Sequence, residues 1–134
     1  SIIRYYNLFI MRTVQIKTLE LLIIERLKTS SPDHKIHTSF AFVKEHFLNE
    51  GYLYGVEHER IISAIYLGNF YKRKTAKALS HEFHTDTKTL LKYRKNYLRL
   101  FAKKYLGLTE PTNTDMCLLY SALTEEQAEA ETAE

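Results

Sequence analysis

Tryptophan is absent, cysteine occurs once, and 134 residues contain only four glycines and two prolines. So few chain-breaking residues exclude an architecture of many short strands, whose turns consume glycine and proline. The lone Cys117 excludes an intramolecular disulfide and a cysteine-rich zinc site, which makes a reducing compartment, the cytoplasm, the expected location. A stretch of about 18 uncharged apolar residues is also missing, because Arg4, Arg12, Lys17 and Glu20 interrupt the greasy N-terminal segment. No membrane span is expected. The most informative absence is of acid. From Thr87 to Leu106 there are seven Lys or Arg residues and no Asp or Glu.

What is present points to one helical core. Apolar residues make up 45% of the chain, and the aromatics are ten Tyr and seven Phe, suited to half-buried helical faces whose phenol tips stay wet. Ile16, Leu19, Ile23 and Leu27 recur at helical spacing, predicting a helix from Tyr5 to Lys28 that Thr29-Ser30-Ser31-Pro32-Asp33 stops. Phe40, Val43 and Phe47 predict a second helix from Thr38 or Ser39 to about Asn49, and Gly51 to Gly55 reads as a loop. A third helix is expected from Glu57 to Leu67, a short one capped by Thr75 and running to Phe83, and a long basic one capped by Asp86 and ended by Gly107. The fold class is all-α.

Charge divides the chain unevenly. Residues 60 to 104 hold twelve Lys or Arg against Glu82 and Asp86, a net +10. Residues 1 to 59 hold seven of each sign, and residues 110 to 134 hold seven acids and no base. We therefore read 1–55 as an N-terminal helical segment for core or dimerisation, 56–108 as the functional unit and 109–134 as an acidic C-terminal tail. Its acidic end, Glu125-Glu126-x-x-Glu129-x-Glu131-x-x-Glu134, reads as a frayed, solubilising segment, as a competitor with DNA for the basic stripe, or as a contact for a basic partner such as RNA polymerase. Leu21, Leu22, Ile23 and Ile24 leave two readings for the front: a homodimer interface, or burial within one chain.

On the basic helix, Lys88, Lys92, Lys95, Arg99 and Lys103 span roughly 80° of the circumference, while Leu90, Tyr93, Tyr97, Leu100, Phe101 and Tyr105 project from the other side. An ordinary solvated helix mixes signs so that Glu and Lys pair one turn apart, and this one forgoes every such pair. Upstream the spacing is Leu79-Ser80-x-x-Phe83-x-x-Asp86-x-x-Thr89-Leu90. It supplies a small residue for close helix approach, apolar anchors on both sides of a turn, and a cap.

This pattern resembles the helix-turn-helix proteins related to the fourth domain of bacterial sigma factors, with Leu79, Ser80, Phe83, Asp86, Thr89 and Leu90 at the matching positions. His84 stands where that group prefers Gly. The flanks, Ile65-Tyr66-Leu67 and Tyr97-Leu98-x-x-Phe101-Ala102-x-x-Tyr105-Leu106, are similar to the ArpU and RinA group of phage late-gene regulators. The resemblance implies a three-helix unit with a long recognition helix, sequence-specific binding of double-stranded DNA and activation of transcription at phage promoters.

Helical geometry places Thr87, Lys88, Leu91, Lys92 and Lys95 as readers in the major groove, with Arg99 further along reaching the backbone at most. Lys72, Arg73, Lys74 and Thr75 would meet phosphate where the short helix begins. Arg94 falls on the apolar side and is expected to pair with an acid at the core rim, Glu82 being the nearest. Catalysis finds no support. His81-Glu82-x-His84 has histidines three apart where a zinc protease needs four, His34 and His37 lack a third ligand, and no activated nucleophile is visible. Neither a metal nor a cofactor is expected. The rival reading is a helical interaction module whose basic face binds an acidic protein. RNA binding is a third, without the exposed sheet aromatics of common RNA modules.

Overall fold

The turn residues and apolar periodicity produce helices throughout. A computed structural model describes residues 2–49, 55–68, 75–110 and 113–132, with side chains over 16–48, 58–68, 75–110 and 115–125. All regular structure among them is helical: α1 (Ile2–Thr29), α2 (Lys35–Asn49), α3 (Gly55–Tyr66), α4 (Ala76–Glu82), α5 (Thr87–Leu106) and α6 (Asn113–Thr132). Of the loop expected over 51–55, residues 51–54 lie outside the described residues and Gly55 instead opens α3, two residues before the expected start at Glu57.

α1 ends where Pro32 cannot continue it, and α2 begins at Lys35, three or four residues earlier than expected. The cause is a cap of an unusual kind: the Ile36 N–H donates to His34 Nδ1 at 3.0 Å. Cap rules look for a short side-chain oxygen, so an imidazole in that role escapes them. His37 is also engaged structurally, with Nε2 3.4 Å from the Ser30 carbonyl oxygen.

α5 is the central element and packs against α1, α2, α4 and α6; α2 lies mainly on α5 and α3, and α1 mainly on α6. One buried cluster draws on all six helices, through residues such as Ile23, Ile36, Ile62, Leu79, Leu98 and Leu119. The stretches 1–55, 56–108 and 109–134 thus all contribute to the same core. In the front, Ile23 is buried and Leu22 and Ile24 are packed against this cluster, while Leu21 stays 41% exposed.

The acidic end differs from its reading as a tail. Asn113–Thr132 is helix, and Met116, Cys117, Leu119 and Leu123 are buried. Averaging charge over 110 to 134 concealed an apolar run, since Asp115 is the sole acid between Glu110 and Glu125.

Candidate nucleic-acid interface

The connection between α4 and α5 is built from local hydrogen bonds. Thr75 caps α4, its Oγ1 accepting the Ala78 N–H at 3.1 Å. Leu79 and Phe83 are buried, which anchors the helix before it turns. The Thr85 N–H then donates to the Ser80 carbonyl at 2.9 Å and the His84 N–H to the His81 carbonyl at 3.3 Å, the paired closure of a Schellman motif. Ser80 Oγ also donates to the Thr85 carbonyl, so the small residue ties the end of α4 to the chain entering α5.

That closure forces His84 to φ +53°, the left-handed region, and His84 is the one non-glycine residue found there among the described residues. A side chain at such a position costs about 1–2 kcal/mol, whereas a glycine there loses about 0.4–1 kcal/mol through its freer unfolded chain. The first effect is larger. His84→Gly should therefore stabilise the fold by roughly 0.5–1 kcal/mol, read as a raised midpoint in denaturant; an unchanged or lowered midpoint would show that the strain is absent.

Asp86 opens α5. Its Oδ1 accepts the Thr89 N–H at 2.8 Å and its Oδ2 the Thr89 hydroxyl at 2.8 Å. These bonds, the backbone one foremost, hold the Asp86 carboxyl below its ordinary range. At the far end Gly107 sits at φ +69°, with its N–H on the Lys103 carbonyl. Both terminators foreseen for this helix are present.

Between those caps the two faces separate. Leu90, Tyr97, Phe101 and Tyr105 are buried, whereas Thr87, Lys88, Lys92, Lys95, Arg99 and Lys103 are exposed. Leu98 and Ala102 are buried too, because the later turns of α5 are enclosed by more neighbours than one apolar stripe can meet. The amphipathic pattern alone underestimates that burial. Leu91 is the apolar exception on the charged side, 38% exposed. Thr75 is exposed, its hydroxyl oxygen already taken as a cap acceptor. Arg73 and Lys74 lie outside the described residues, as does Lys72.

Arg94 does not pair with Glu82. Its Nε donates to Glu20 Oε2 at 3.1 Å and its Nη2 to Glu20 Oε1 at 2.5 Å, a fork across α5 and α1 with Glu20 fully buried. Glu82 is exposed on α4. Facing α3, the Tyr97 hydroxyl lies 2.7 Å from His58 Nδ1, and Tyr93 and Phe47 stand edge-on and tilted around the same imidazole. Burial, reinforced by Tyr93, pushes the Tyr97 phenol well above its usual range. These inward contacts fix α5 from behind.

Two cations that the reading of α5 alone overlooked lie on the neighbouring helices. Arg60 of α3 is exposed with its guanidinium 5.6 Å from the centre of the Phe83 ring, and Lys77 of α4 is exposed. Exposed cations thus occur on α3 and α4 as well as on α5. No group of three or more potential metal ligands occurs among the described residues, and no described helix is long and apolar enough to cross a membrane. Comparison with known protein families, curated proteins and solved structures finds no match.

Proposed function

We propose that this chain is a sequence-specific DNA-binding regulator of transcription and that α5 enters the major groove through the face bearing Lys88, Leu91, Lys92 and Lys95. The observation that carries this reading is the single-signed solvent face of α5. It has five exposed positions in its first three turns, three of them lysines, with no acid anywhere on the helix. A helix whose other side is held by Leu90, Arg94 and Tyr97 can present those lysines without spending stability to order itself. Because the Asp86 carboxylate already takes the Thr89 N–H, the side-chain cations rather than the helix end supply most of the attraction for phosphate.

The proposal includes action at phage promoters, which the resemblance carries, together with RNA polymerase as a protein partner and a homodimer whose two-fold axis would pair half-sites. Arg99 contributes to the backbone at most. It lies 11 residues beyond Lys88, about 16 Å along the axis, where the groove wall rather than a base edge is expected.

Titrating labelled duplexes at several salt concentrations tests the reading. Binding should fall steeply with salt, and Lys88→Ala and Lys92→Ala should each cost about 1–3 kcal/mol if the residue meets a base, or flatten the salt slope by about one if it meets phosphate. Both side chains are exposed, so the thermal melts should not move. Wild-type affinity in both variants would remove this face from the DNA. An acidic protein partner would then be the better reading, with no distinction between a selected duplex and a random one.

A further inference from the structure

We infer that α5 selects a run of keto bases, guanine and thymine on one strand, and that Leu91 provides the thymine part of that selection. The inference rests on the DNA-binding reading above and goes beyond it by naming the bases. Its basis is the hydrogen-bonding inventory of the exposed face. Lys88, Lys92 and Lys95 carry donors only, Leu91 carries neither donor nor acceptor, and Thr87 has a hydroxyl that can serve either way.

Potential acceptors near this face are engaged or turned aside. Both Asp86 oxygens accept from Thr89, and the half-buried Thr89 hydroxyl donates back to Asp86. Asn96, the one side-chain amide on α5, is half-buried at the edge of this face, about 40° around the helix from Lys92 and about 100° from Lys95.

In the major groove guanine offers two acceptors and thymine an acceptor and a methyl group, whereas adenine sets an amino donor beside its one acceptor and cytosine presents an amino donor alone. Three lysines and a leucine held against one strand satisfy guanine and thymine there and leave the amino hydrogens of adenine and cytosine on that strand without a partner, which costs more than a missing contact. Leu91 sits one turn beyond Lys88 and one turn before Lys95, so its isobutyl group falls between two lysines along the groove. A thymine methyl beside a guanine is the base-edge pattern that complements this order.

The test uses the full chain. Duplexes are selected from a random pool, and each thymine of the selected site is replaced in turn by deoxyuridine, which removes the methyl alone. Runs of guanine and thymine on one strand are expected. One deoxyuridine should weaken wild-type binding by about three- to fivefold, the worth of one buried methyl group. Leu91→Ala should bind the thymine and deoxyuridine duplexes equally, with an unchanged melt because Leu91 is exposed. A selected site mixing keto and amino bases on each strand would overturn the inference. So would equal wild-type binding of thymine and deoxyuridine at every position, or a thymine preference that survives in Leu91→Ala. In those cases salt-dependent DNA binding would still stand. Failure of any duplex to bind would remove the DNA reading and this inference together.

Discussion

A chain ended at Glu110 should lose its cooperative unfolding transition. The truncation removes α6, and with it Leu119 and Leu123, both fully buried, and Met116, 5% exposed. Burying such side chains contributes about 1.5–3 kcal/mol each, so the three together supply about 5–9 kcal/mol. A domain's whole stability is about 5–15 kcal/mol, and the same cut also bares the surfaces of α1 and α5 on which α6 packs. Circular dichroism on heating should show a broad, shallow change, and a hydrophobic dye should bind the shortened chain. Leu119→Asp should produce a similar state from one position, since a carboxylate there is buried without a partner. Glu125→Gln, at an exposed site on the same helix, should change stability by less than about 0.5 kcal/mol. A cooperative melt in the truncated chain within a few degrees of the full one would show that α6 is dispensable to the core.

Breaking the Glu20–Arg94 fork should be nearly as damaging. Arg94 is 8% exposed and Glu20 not at all, so losing either partner removes both charge-assisted bonds of the fork from a site that water barely reaches. Glu20→Ala or Arg94→Ala should cost about 3–5 kcal/mol, a fall of about 10–20 °C in melting temperature. Arg94→Lys should not rescue, because an ammonium cannot reproduce two parallel bonds to one carboxylate. Replacing both together, Glu20→Leu with Arg94→Met, should recover most of the loss or exceed the parent, since the cost of desolvating two charges disappears along with their attraction. If the single variants melt like the parent, the pair is not buried in solution. If the double variant is as unstable as the singles, the fork contributes more than apolar packing can replace, and it would then rank as a specific lock between α1 and α5.

The features of this protein that could be read from its residue order are those settled within a few residues of each other. Thr75, Asp86 and Gly107 bound their helices as expected, because a cap bonds to a backbone group two to four positions away and needs no distant partner. Leu79, Phe83 and Leu90 are buried and Lys88, Lys92 and Lys95 exposed, because helical periodicity sorts side chains by angle before anything docks. The His34 cap was equally local, yet lay outside the residue types that a cap rule admits. Other features depend on which faces meet. Arg94 found its carboxylate 74 residues away rather than on the adjacent helix, and Tyr97 met a histidine 39 residues away. The burial of Leu98, Ala102 and the apolar half of α6 likewise needed several helices to surround α5. Composition recorded residues 110 to 134 as seven acids without a base, but burial acts on individual side chains, so four apolar residues on α6 outweighed an average taken over twenty-five.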